Sequence, residues 1–200
     1  MQASTSRRAV FSLLALAALS IGPAALAQQT STASKSAEIS VFGGFTNIDS
    51  DYGIDRNNGV TIGADYTRFF RFPVVPSLEV RGNYTTGIAV TEKSILFGLR
   101  LEAPFRRRFH PYGTVLFGGT RIDFKFPPSP IYTYDQTSAL SLGGGVDVDV
   151  TRHFRAKFEY QQQFEDFGPN GFQNDFTLTP GGFTVGVVYR IPFGSRQGPR

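Results

Sequence analysis

From Ala37 onward, apolar and polar side chains alternate with a period of two, the pattern of strands whose two faces meet different surroundings. The clearest run is Phe154–Glu165. Phe154, Ala156, Phe158, Tyr160 and Phe164 share one face, interrupted only by Gln162, while Arg155, Lys157, Glu159, Gln161, Gln163 and Glu165 share the other. A helix would scatter both sets around its circumference. The same alternation predicts strands over Glu38–Thr46, Val60–Phe69, Ser77–Thr86, Ser94–Ala103, Leu140–Val150 and Phe183–Phe193. Tyr112–Phe124 is also strand-like, but the consecutive Val115, Leu116 and Phe117 leave its facing open. That makes eight strands.

The connections alternate in character. Asp49–Gly59, Gly87–Lys93, Lys125–Gln136 and Asp166–Gly182 are polar and mostly longer, whereas Arg71–Pro76, Pro104–Pro111 and Thr151–His153 are shorter. Short turns at one end and long loops at the other are the layout of an up-and-down barrel in an outer membrane. Strands of roughly 9–11 residues span a bilayer when tilted.

The stretch before the alternation has a different design. Arg7 and Arg8 precede an apolar run from Val10 to Leu19 broken only by Ser12, then Gly22-Pro23, then Ala25-Leu26-Ala27 before Gln28. This reads as a secretory signal peptide over residues 1–27 with cleavage near Ala27; the run is short for a membrane anchor and ends in a small-x-small pattern. Val10 stands where a twin-arginine signal would carry Phe, which favours the general secretory route. Residues 28–36, QQTSTASKS, form a polar leader expected to be disordered. Residues 37–193 are then the barrel, and 194–200 a tail.

Composition narrows the chemistry. The 200 residues contain no Cys, no Trp and 2 His, with 20 Phe, 8 Tyr and 22 Gly. Disulfides, thiolate nucleophiles and cysteine metal sites are excluded, and a His-rich metal centre is disfavoured. The formal charge of +4 falls to +2 once Arg7 and Arg8 leave with the signal. Only Arg106-Arg107-Arg108 forms a basic cluster, so a nucleic-acid partner is not expected. No cofactor is expected either.

Alternation alone does not say which face is wet. A lipocalin-like periplasmic barrel that carries a ligand would hold the apolar face inside. Three features favour the reverse. The charged face is nearly balanced, with Arg81, Arg100, Arg155, Lys157 and Arg190 against Asp65, Glu79, Glu102, Asp147, Asp149 and Glu159. A small barrel has a side-chain-filled interior, where opposite charges must pair or bear a large desolvation cost. Aromatics (Tyr66, Tyr84, Phe154, Phe183, Phe193) sit near the ends of the apolar face, as interfacial girdles do. Finally, Tyr189-x-Ile191-x-Phe193 gives the last strand alternating apolar residues and a terminal aromatic.

With that ending, the signal peptide, Pro111-Tyr112-Gly113 at the start of the fifth strand and Arg155-x-Lys157-x-Glu159-Tyr160, the chain resembles the small OmpA-like outer-membrane β-barrel domain family from about Ala37 to Phe193. The resemblance implies an eight-stranded antiparallel up-and-down transmembrane β-barrel in the outer membrane of a Gram-negative-type cell. It implies outer-membrane lipids as surroundings and a last strand, Tyr189, Ile191 and Phe193, read by the outer-membrane assembly machinery. The tail after Phe193 departs from that pattern. The peptidoglycan-binding domain of larger relatives is not expected, nor wall tethering by that route.

The candidate sites are few. Glu79, Arg81, Arg100, Glu102, Asp147, Asp149, Arg155, Lys157, Glu159 and Arg190 are expected to form an interior ion-pair network, with Asp147 and Asp149 accepting from Arg155, Lys157 or Arg190. His110 and His153 fall in short turns and are expected to be solvated or interfacial. A lipid A-modifying hydrolase would need a Ser beside one of them, and Ser77 is the only Ser near that rim. The glycine runs Gly43-Gly44, Gly118-Gly119 and Gly143-Gly144-Gly145 are not followed by Lys-Ser/Thr and read as strand curvature, not phosphate loops. The aromatic and Pro/Gly-rich loops Phe124–Tyr132 and Phe167–Phe172 are either recognition surfaces or tolerated insertions. The expectation is a non-enzymatic protein with a structural, adhesive or surface-interaction role through a ligand at these loops. A barrel this small lacks room for a general diffusion pore, while a narrow ion path between the inward charges stays open.

Overall fold

The computed structural model describes residues 35–52, 55–69, 74–103, 108–127, 133–167 and 176–195, with the backbone alone at 35, 36, 176 and 192–195. The signal segment 1–27, the leader through residue 34 and the tail after 195 lie outside the described residues. Nine strands follow one another: β1 (Lys35–Asp49), β2 (Arg56–Arg68), β3 (Val75–Thr86), β4 (Val90–Glu102), β5 (Phe109–Phe124), β6 (Tyr134–Asp149), β7 (Phe154–Phe167), β8 (Phe176–Leu178) and β9 (Gly181–Ser195). Each of β1 to β7 pairs antiparallel with the next, β7 pairs with β9, and β9 pairs with β1, closing an eight-stranded barrel. The short β8 lies outside that ring and pairs only with the end of β7, at Glu165, Asp166 and Phe167. Closure satisfies the backbone hydrogen bonds without an edge, the condition for a sheet to cross a bilayer. Among the described residues no helix is long and apolar enough to cross a membrane; the apolar belt is carried by strands.

The facing follows the period of two. Val187 is 51 % exposed and Thr184 4 %, so the apolar set looks outward and the polar set inward. The faces are therefore those of a membrane barrel and the reverse of a ligand carrier with an apolar interior. The open facing of β5 also resolves. Val115 and Phe117 point outward, and Leu116 points inward to pack with Leu96 and Ala139.

Two inward aromatics each stand opposite a glycine. Phe42 is paired with Gly63, where an added Cβ would lie only 2.4 Å from the Phe42 ring. Tyr112 is paired with Gly145, where a Cβ would lie 2.7 Å from the Tyr112 hydroxyl. A side chain at either position would occupy the space the ring fills, so each glycine here serves close approach.

The strands run past the apolar alternation. β6 begins at Tyr134 rather than Leu140 and β2 at Arg56 rather than Val60, while β1 takes in the last two leader residues because Lys35 pairs with Ser195 at the other end of the chain. The ladder, not the side chains, sets these limits. The connection expected over Gly87–Lys93 shrinks to 87–89, since Val90 to Lys93 continue β4 against β5, leaving that loop as short as the turns. The extra length of β2, β4 and β6 lies at the loop end. There Lys93, Arg121 and Asp123 face outward beyond the last apolar positions, with Lys93 Nζ 2.8 Å from Asp123 Oδ2 and Arg121 stacked 4.0 Å over the Tyr134 ring.

Candidate functional site: the barrel interior

At mid-height the lumen is filled by charge. Arg81 donates from Nη1 to Glu159 Oε1 at 2.6 Å and from Nε to Glu79 Oε1 at 2.6 Å. Glu159 also accepts from the Tyr112 hydroxyl at 2.7 Å, and Lys157 Nζ lies 2.7 Å from its Oε2. The Lys157 ammonium sits 4.5 Å from the ring centroids of both Phe42 and Tyr112, positions in which a cation is attracted to the ring face. The Arg100 guanidinium lies 3.7 Å from the Tyr112 ring centroid and donates to Asp147 Oδ2 at 2.6 Å. Arg81, Arg100, Lys157 and Asp147 are all fully buried. Charges in such a place persist only when paired and hydrogen-bonded, and here Glu159 of β7 takes Arg81 of β3 and Asp147 of β6 takes Arg100 of β4, which ties the wall across the lumen.

Toward the turns a second group forms a collar. Glu102 accepts from Arg155 Nη1 at 3.2 Å, and Asp149 accepts from Arg155 Nε at 2.9 Å and lies 3.0 Å from Arg190 Nη2. Between the two carboxylates stands His110, with Nδ1 2.8 Å from Glu102 and Nε2 3.2 Å from Asp149. This corrects the reading of His110 as a solvated turn residue. Phe109–Phe124 is continuous strand, and His110 lies two residues before Tyr112 on the inward face. The open facing of Tyr112–Phe124 hid this in the sequence. His153 stays in the turn, its Nδ1 3.4 Å from the Arg190 carbonyl.

Glu79, Arg81, Arg100, Asp147, Lys157 and Glu159 lie in the plug, and Glu102, Asp149, Arg155 and Arg190 in the collar. The pairing differs in one respect: Asp147 bonds Arg100 from β4, although Lys157 is its register partner on β7. Lys157 turns instead to Glu159 and the two rings. Sequence reasoning missed Tyr112 and Phe42 as members, because an inward aromatic breaks the rule that the polar face is inside. Among the described residues no serine hydroxyl is bonded to either histidine. Ser77 Oγ is bonded to Thr67 Oγ1 at 2.7 Å, and both His110 nitrogens face carboxylates.

Toward the loops the lumen is lined differently. Thr184, Thr46, Thr61, Asn83 and Ser94 lie on five adjacent strands and form one hydrogen-bonded belt. Thr46 Oγ1 is 2.9 Å from Thr184 and 2.6 Å from Thr61, Thr61 donates to Asn83 at 2.8 Å, and Asn83 donates to Ser94 at 2.9 Å. Above the belt a small cavity is bordered by Glu92, Thr120, Gln161, Gln163 and Glu165. Higher still, Val90, Ile122, Phe124, Phe167 and Leu178 form a buried apolar cluster with Tyr52 and Ala89 against it. Tyr189 and Ile191 face outward on β9, Tyr189 stacking on Phe154 at 5.1 Å. The Phe193 side chain lies outside the described residues, although its backbone pairs with Ala37.

Solved structures share this architecture. Neisserial surface protein A (NspA) superposes with a TM-score of 0.53 at 13 % identity, covering 78 % of this chain and 97 % of that one. Ail, the attachment invasion locus protein of Yersinia pestis, solved with the heparin analogue sucrose octasulfate, gives 0.50 at 14 % identity over 78 % and 99 %. At such identity the likeness is one of fold. No curated protein matches the chain in sequence. The outer membrane protein beta-barrel domain family matches residues 11–190. With an apolar belt outside, a paired ionic lumen and that match over nine-tenths of its length, the chain belongs to the outer membrane protein beta-barrel domain family.

Proposed function

We propose that this outer-membrane barrel is a non-enzymatic surface protein whose loop end serves recognition, with adhesion as its role. The observation that carries this reading is the apolar cluster at that end. A barrel held by lipid needs no core beyond its belt, yet here Val90, Ile122, Phe124, Phe167 and Leu178 are buried there. The connections are tied to one another as well. Thr179 donates from N and Oγ1 to Asp51 Oδ2 at 3.1 and 2.9 Å, and Lys125 N donates to the Ala89 carbonyl at 2.9 Å. A braced rim presents side chains with little entropy left to lose on binding, and Phe126 stands 75 % exposed upon it. The attachment role named for Ail is that protein's own; it supports the reading as a precedent for this fold.

The same reading assigns residues 1–27 to export, with cleavage near Ala27, and Tyr189, Ile191 and Phe193 to recognition by the assembly machinery, with outer-membrane lipids around the belt. The test is adherence of cells displaying the protein, on surfaces coated with heparin or with matrix protein. The intact barrel is expected to adhere, and a version with loops 125–133 and 168–175 shortened to lose it. Equal adherence by both, with both heat-modifiable on gels, overturns the reading.

A further inference from the structure

The outer wall of the barrel carries a charged patch directly above its apolar belt, on β4 and β5 at the loop end. Lys93 and Arg121 are register partners there, and both face outward. One outward position nearer the midplane stand Ile95, 70 % exposed, and Gly119; one further stand Phe97 and Phe117. The cations therefore lie where hydrocarbon gives way to headgroups. Each also leans on an outward tyrosine, Lys93 Nζ at 6.0 Å from the Tyr84 ring centroid and the Arg121 guanidinium at 4.0 Å from that of Tyr134. Tyrosine, with an apolar ring and a polar hydroxyl, belongs to such an interface.

Charge decides what the patch can take. Asp123 bridges the two cations: its Oδ2 lies 2.8 Å from Lys93 Nζ, and its Oδ1 lies 2.7 Å from both Nε and Nη2 of Arg121. One carboxylate against two cations leaves one positive charge over. An ammonium carries three N–H donors and a guanidinium five, so Asp123 leaves donors on both side chains for an oxygen-rich anion. Phosphate suits this pair, since Arg offers it a planar fork and Lys a compact point charge. Depth names its source. A soluble acidic partner would have to reach the patch through the headgroups, whereas the phosphate of a lipid already lies at that level. We propose that Lys93 and Arg121, bridged by Asp123 and flanked by Tyr84 and Tyr134, bind the phosphate of a lipid headgroup in the outer leaflet. Only the choice of leaflet rests on the loop end being outside, as in the reading above; the binding itself does not.

The experiment uses the full barrel folded in neutral detergent, with folding verified by its heat-modifiable band. Lipid A carrying its phosphates is titrated into the micelles, and in parallel the same lipid A with the phosphates removed; the temperature at which the folded band converts is followed. The expected result is a saturable rise with the phosphorylated lipid alone. Lys93→Gln and Arg121→Gln are each expected to weaken it about fivefold, the worth of one cation near an anionic lipid surface. Asp123→Asn, which frees both cations, is expected to strengthen it. Equal rises with both lipids, or unchanged binding in the two Gln variants, overturn the proposal. So does full competition by inorganic phosphate or heparin at concentrations matching the lipid, which would make the patch a site for soluble anions. Were a variant to misfold, the lipid preference of the unaltered barrel still decides. Shortening loops 125–133 and 168–175 leaves this patch in place, so the adhesion reading and the lipid site fail separately.

Discussion

The two ends of the lumen solve the same problem with different chemistry. From mid-height toward the turns the polar face is ionic, and the pairs reach across strands: Glu159 receives Arg81 and Tyr112, and Asp149 receives Arg155 and Arg190. Above it lies a neutral belt, a run of hydroxyls and an amide joined across five strands. Ion pairs are long-reaching and lock a lumen across its width, but losing one member strands the others. Hydroxyl belts reach only the next strand and fail gently. The difference places the cross-lumen bracing at mid-height.

The sharpest way to break the comparison is to remove the hub of the ionic half. Arg81→Met leaves Glu79 and Glu159 facing each other in a buried site and is expected to cost about 3–5 kcal/mol. Urea unfolding in detergent micelles checks it, and a loss below 1 kcal/mol would show that the plug is not what holds the lower lumen. Val187→Arg acts on the outer face that both halves share. Near the bilayer midplane it should cost roughly 2–4 kcal/mol, read as a fall in the heat-modifiable fraction after folding into lipid vesicles.

The smallest effects sharpen the contrast most directly, because each deletes one inward hydroxyl. Tyr112→Phe removes a donor to a buried carboxylate and is expected to cost about 1–3 kcal/mol, whereas Thr184→Val in the neutral belt should cost about 1 kcal/mol or less. Equal losses at the two positions would erase the distinction.

The strands and their facing were legible because a bilayer and a polar lumen impose opposite demands on successive residues, and Phe154–Glu165 records both. The inward placement of the charged side chains was legible for the same reason. Their pairing was not, since register places Asp147 beside Lys157 while side-chain reach gives it to Arg100. The inward Phe42 and Tyr112 were hidden because an aromatic on the polar face looks like an error of pattern until the glycine opposite is seen. The extension of β6 to Tyr134 was hidden too. Beyond the belt nothing apolar alternates, and backbone pairing alone continues the strand.

The pairing of β1 with β9 has a consequence in time. The barrel's first strand is synthesised before all the others, and its second neighbour, β9, only after them. Until then both β1 and β7 present a row of unpaired amides and carbonyls, the surfaces on which strands from other molecules add. Contacts so distant in sequence also form slowly. The strand translated first is thus among the last to be fully paired, and the unfinished chain must be kept from its own kind for the whole of that interval.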